Sequence, residues 1–160
     1  SGAGKTTLLR ILAGLEKADS GQIEGLEGLR ISMVFQEDRL CENLSASANI
    51  RLVRGKKPWG RDKKLEAKIS KAMAAVGLGG CEDQPVREFS GGMRQRTALL
   101  RALYSEWDVL FLDEPFKGLD EETKELVIEY TKKQCFGKTV IFVTHDRSEA
   151  GKMGGRLFKM

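Results

Sequence analysis

Apolar residues are spaced along this chain in two alternating ways. Leu8, Leu9, Ile11, Leu12 and Leu15 recur at helical spacing and predict a helix over 5–15. Residues 19–25 read as a turn into a short strand, and 29–35 is apolar enough to predict a buried strand ending at Gln36. From 44 to 88 the pattern is helical. Residues 48–53 and then 62–76 carry it, with apolar Leu65, Ile69, Met73 and Val76 and with breaks at Pro58, Gly60, Gly77, Gly79 and Gly80. A helix over 93–104 and a strand over 109–112 follow. After them come an amphipathic helix over 121–135, with Leu126, Val127 and Tyr130 inward, and a strand over 139–143. Leu157 and Phe158 open a last strand. Largely apolar strands alternating with helices predict an α/β fold: a mostly parallel sheet flanked by helices with right-handed crossovers.

Composition narrows this picture. A chain of 160 residues, 41% hydrophobic and 31% charged, suits one globular domain. No apolar run approaches the roughly 18 residues that cross a bilayer, so membrane association is expected to go through a partner. Cys41, Cys81 and Cys135 are odd in number and far apart, which argues against a disulfide framework or zinc site and for a reducing cytoplasm. The chain shows no signal peptide and opens on Ser1 rather than methionine, as an excerpt would. The net charge is +4, and the pI is about 9.0. Much of the excess lies between Arg51 and Lys71, where nine cations face only Asp62 and Glu66. A solvated helix face accounts for that stretch more simply than a nucleic-acid or headgroup patch.

Four motifs carry chemistry. Ser1-Gly2-Ala3-Gly4-Lys5-Thr6-Thr7 matches the end of the phosphate-binding loop G-x-x-x-x-G-K-[ST], its first glycine falling upstream of Ser1. Such a loop wraps backbone N–H groups around a β-phosphate, with Lys5 against the β- and γ-phosphates and Thr6 on Mg²⁺. Phe89-Ser90-Gly91-Gly92-Met93-Arg94-Gln95-Arg96 is a glycine-paired turn running into a helix, an anion-binding helix start. Alone it is more often an ordinary capped helix; its company changes that. Asp113-Glu114 ends a core strand at the edge where open α/β sheets bind ligands. Asp113 suits hydrated Mg²⁺, and Glu114 suits polarising a water for attack on a γ-phosphate. His145, the one histidine, ends the next strand in line with them, placed to donate to that phosphate.

In this order the motifs resemble the ATP-binding-cassette (ABC) ATPases of the P-loop NTPase class, for which Ser-Gly-Gly-x-x-Gln is the signature. The resemblance covers essentially the whole chain. It implies an ATPase core over 1–43 and 89–160 with an inserted α-helical subdomain over 44–88. It further implies that Gln36 is the glutamine that senses Mg²⁺ and the attacking water, and that 116–120 is the loop that crosses to a second subunit. The expected sites are therefore Ser1, Gly2, Ala3, Gly4, Lys5, Thr6, Thr7, Ser90, Gly91 and Gly92 for nucleotide, Thr6, Gln36 and Asp113 for the metal, and Glu114, His145 and Gln36 for catalysis. ATP and Mg²⁺ are the implied ligands. The implied partners are a second ATPase subunit in a head-to-tail homodimer, a transmembrane permease subunit and, through the permease complex, a solute-binding protein. The location is cytoplasmic, peripheral on the inner face of the cell membrane.

Residues 34–40 and 113–120 resemble most the nitrate/sulfonate/taurine import group, from which Cys41-Glu42-Asn43 and Phe89 depart. In the family a P-loop strand, absent here, lies beside the strand at 139–143. These residues alone are therefore expected to expose a strand edge and fold poorly. The aromatic that stacks on adenine is absent too. Two other functions stay open. One is a soluble ABC ATPase acting on nucleic acid or ribosomes, against which the short helical insert and single motif set argue. The other is a non-catalytic fragment.

Overall fold

Residues Val109–Asp113 form β2, the middle strand of a parallel sheet, and every one of them is buried. The computed structural model describes residues 4–54 and 62–158. Among these the sheet has three strands, in the order β1 (Ile31–Val34), β2 and β3 (Thr139–Val143). Val34 pairs with Leu112 on one side of β2, and Asp113 pairs with Val143 on the other. Successive strand side chains point to opposite faces, so β2 divides its residues between two cores. Leu110 and Leu112 join the larger core with Val34, Leu99, Phe116 and Val127. Val109 and Phe111 join the smaller one with Leu9. Apolar packing on both faces explains why the strand reads as an unbroken apolar run. Each such fully buried side chain contributes about 1.5–3 kcal/mol relative to exposure.

The first helix, α1 (Lys5–Leu12), is shorter than the expected 5–15. Gly14 takes φ 71°, its N–H bonds Ile11 O at 3.0 Å, and Leu15 N–H reaches back to Arg10 O at 2.8 Å. That paired closure is a Schellman stop, and it leaves Leu15 53% exposed. The short strand expected within 19–25 does not form, and among the described residues no strand lies beside that segment to pair with. Helix α2 (Ala46–Arg51) runs into a 3₁₀ turn, Leu52–Arg54, and α3 (Lys63–Ala75) starts where the Asp62 carboxylate accepts from the Lys64 and Leu65 amides.

Helix α4 (Gly91–Tyr104) begins two residues before the expected 93. Ile50 of α2, Ile69 and Met73 of α3 and Leu99 of α4 share one continuous core with the sheet residues Leu110 and Leu112. Asn49, fully buried, fixes the chain ahead of α2: its Oδ1 accepts from Cys41 N at 2.8 Å, and its Nδ2 donates to Cys41 O and Ser45 O. Cys41 itself is exposed, Cys81 is half-buried and Cys135 is buried.

Helix α5 spans Glu121–Cys135 as expected, but its inner face differs. Val127, Ile128, Thr131 and Cys135 are buried, at the spacing of one helical stripe, which turns Leu126 outward to 51% exposure. Helix α6 is Arg147–Met153. The strand expected at Leu157 and Phe158 is absent, and both side chains are exposed. The outer edge of β3 pairs with no strand among the described residues; Thr139 is exposed and Val140–Val143 are only partly buried. No helix among the described residues is long and apolar enough to cross a membrane. Ser1, Gly2, Ala3, Pro58, Gly60 and the cations Lys56, Lys57 and Arg61 lie outside the described residues.

Candidate functional site

At the carboxyl end of the sheet lies an open cleft of about 600 Å³, whose lining includes Thr6, Gln36, Asp113, Gly91, Gly92 and Gln95. Four segments bring these side chains together. Helix α1 offers Thr6 from its first turn, and its N-cap, Gly4, supplies no side-chain acceptor for the helix's leading N–H groups. Beside Thr6, Lys5 is half-buried and Thr7 exposed. Gln36 follows β1 and is exposed to the cleft. Asp113 ends β2.

Asp113 brings a buried carboxylate to the cleft. It is 1% exposed, and its Oδ2 is buried without a hydrogen-bond partner among the described residues. A carboxylate so placed is costly unless something cationic or a donor completes it. The donor set of Asp113, Thr6 and Gln36 is all oxygen and carries one charge, which suits a magnesium ion that keeps several waters and shares phosphate oxygens. It does not suit an all-protein cage, and no cluster of three His, Cys, Asp or Glu able to hold a metal occurs among the described residues.

Glu114 turns the chain out of β2 at φ 48°, a left-handed conformation rarely taken by side-chain-bearing residues and one that recurs at functional sites. Its N–H bonds Val143 O at 2.9 Å, fixing the turn to the end of β3. His145 Nε2 lies 2.5 Å from Glu114 Oε1, and Lys117 Nζ lies 3.6 Å from Oε2. His145 thus meets the neighbouring carboxylate. The loop that carries it is anchored behind, where Thr144 Oγ1 donates to the buried Glu149 carboxylate at 2.5 Å and accepts from Asp146 N at 3.0 Å.

The opposite wall is the start of α4. Ser90 caps it, its Oγ accepting from Met93 N at 3.3 Å, while Ser90 and Gly91 remain exposed. A side chain at Gly92 would come within 3.2 Å of Leu119 Cδ2, so glycine allows α4 to sit against the 116–119 turn.

Several residues of the site escape the sequence analysis. Gln95 is buried, and its Nε2 donates to Pro115 O at 3.2 Å and Glu114 O at 3.4 Å, tying α4 to the Glu114 turn. Its place as the last letter of Ser-Gly-Gly-x-x-Gln is the signal that could have flagged it. Lys117 carries no comparable signal. Asp38 and Arg94 form a two-point ion pair, Nε to Oδ2 at 2.8 Å and Nη2 to Oδ1 at 3.0 Å. Burial pushes the Asp38 carboxyl up, but the Arg94 and Leu40 hydrogen bonds and the charges of Arg94 and Arg101 hold it, on balance, below the ordinary aspartate range.

The family model described as ABC transporter matches residues 1–117. The sulfate/thiosulfate import ATP-binding protein CysA of Xanthomonas campestris pv. campestris is 39% identical over 98% of this chain and 50% of its own length. The aliphatic sulfonates import ATP-binding protein SsuB 1 of Pseudomonas savastanoi pv. phaseolicola is 38% identical over 100% of this chain and 65% of its own. The chain thus spans about half the length of the first of these relatives. Among solved structures, the post-hydrolysis dimer of the ATP-binding cassette MJ0796 bound to ADP and Pi superposes with a TM-score of 0.78 at 27% identity, over 93% of this chain and 73% of that one.

Proposed function

The chain belongs to the ABC transporter family, and from that premise we propose that it is the ATP-binding and ATP-hydrolysing part of an importer subunit. The observation that carries the proposal is the orphaned Asp113 Oδ2, buried in a cleft that Thr6 and Gln36 also line. In this reading residues 1–7 cradle the nucleotide phosphates, with Lys5 against the β- and γ-phosphates. Thr6, Gln36 and Asp113 would hold Mg²⁺, which would neutralise charge on the phosphate oxygens. Glu114 orients and polarises the attacking water, and His145 steadies Glu114 and donates toward the γ-phosphate. Most of the rate enhancement then comes from positioning and charge stabilisation.

The exposed Ser90 and Gly91, with the half-buried Gly92 behind them, are offered to the nucleotide of a second copy, so that ATP joins two subunits head to tail. Closure would pull on a membrane permease through the Gln36 loop, with a solute-binding protein delivering cargo to that permease at the inner face of the membrane. The names of the sulfate and sulfonate import relatives support import. The domain division, with 44–88 as a helical subdomain set into the core, is part of the same proposal.

Changing Glu114→Gln tests the reading. Turnover of ATP should fall by roughly 10²–10⁴-fold while nucleotide binding survives and an ATP-dependent dimer accumulates on gel filtration. Wild-type turnover by that variant would remove Glu114 from the role of base.

A further inference from the structure

Helix α4 holds the loop that carries Gln36 at two heights. Near its start, Arg94 forms the two-point pair with Asp38 and adds Glu42 Oε1 at 3.2 Å. About two turns further along, Arg101 donates from Nη1 to Arg39 O and from Nη2 to Asp38 O, both at 2.9 Å. Between these anchors the chain makes a tight reversal: Arg39 sits at φ 47°, its guanidinium stacks 4.1 Å from the Phe35 ring centroid, and Leu40 N–H bonds Asp38 Oδ1 at 3.1 Å. The Arg94 and Asp38 side chains are only 20% and 22% exposed.

A charge-assisted pair with fork geometry, largely withdrawn from water, resists separation, because parting it breaks two short hydrogen bonds at a partly buried place. The loop and the helix are therefore held as one body. Gln36, two positions before Asp38, shares the cleft with Thr6 and Asp113, while Ser90-Gly91-Gly92 opens the same helix that carries Arg94.

We propose that Arg94 and Arg101 are positioning residues for ATP hydrolysis: they clamp the Gln36 loop to α4, so that Gln36 keeps a fixed place in the metal cleft relative to the Ser90-Gly91-Gly92 turn. The inference rests on the ATPase function proposed above and adds the physical link between the two halves of its site. Neither arginine touches nucleotide in this scheme, so their effect is on the assembly of the site and on turnover.

The test is a double-mutant cycle in the full-length protein, with MgATP affinity, kcat and thermal stability measured separately. Arg94→Met and Asp38→Asn should each lower kcat by roughly tenfold while leaving MgATP affinity within about threefold, and the double variant should fall no further than either single one. Asp38→Arg with Arg94→Asp should recover part of the loss. If Arg94→Met does not fold, Asp38→Asn and Arg94→Lys supply the same comparison. Wild-type kcat in the single variants overturns the link. So do losses that multiply in the double variant, and so does a loss of nucleotide affinity that parallels the loss of kcat. A wild-type protein that hydrolyses no ATP would instead overturn the ATPase reading, and the link with it.

Discussion

Arg30 and Asp108 join β1 to the start of β2 at the end of the sheet away from the cleft. Arg30 reaches Asp108 from Nε at 3.0 Å and from Nη2 at 2.9 Å, and its backbone N–H adds a third bond at 2.9 Å. The side-chain and backbone hydrogen bonds from Arg30 hold the Asp108 carboxyl down at about 2, against 3.8 for an ordinary aspartate. A depressed carboxyl pKa contributes stability that is complete above the unfolded value and is lost as pH falls through the folded one. Stability should therefore decline in part between about pH 4 and pH 2 on account of this residue. Asp108→Asn should flatten that segment of a stability-against-pH curve measured by urea unfolding. The effect should shrink in high salt, as befits a pair at the surface.

At the scale of elements, α3 is closed by a side chain from another helix. Arg96 of α4 donates from Nη1 to Val76 O at 2.7 Å and Gly77 O at 3.0 Å, so its charge meets the negative end of α3. Removing it with Arg96→Met should cost about 1.5–3 kcal/mol in denaturant unfolding and speed amide exchange in the last turn of α3. This contact is a fair measure of what sequence reasoning reaches. The strand at 139–143 and the helix at 121–135 were legible to the residue, because apolar periodicity and flanking turns are local signals. Asp113 and Glu114 stood out because carboxylates rarely end a core strand. The Arg94–Asp38 pair, the Gln95 bridge and the Arg96 closure join residues distant in sequence, and local pattern does not encode such a meeting. Leu126 shows the same failure on one helix: its apolarity predicts burial, and only the packing partners of Val127 and Ile128 decide which stripe turns inward.

At the scale of the whole molecule, burial among the described residues is graded from the centre of the sheet outward. β2 is buried along its full length, while β3 pairs on its outer side with no strand among the described residues and has partly exposed side chains. Hydrogen exchange should therefore be slowest at 109–113 and at least about tenfold faster at 139–143; equal protection in both would contradict the packing described here.

The three cysteines are sorted by this same gradient: Cys135 is buried, with its thiol pushed up to about 11 by desolvation, and Cys81 is half covered, whereas Cys41 stands in water. A maleimide dye added at neutral pH should therefore attach chiefly at position 41, on a segment whose main chain Asn49 holds in place. The native sequence thus supplies a fluorescent reporter beside the Gln36 loop with no engineering.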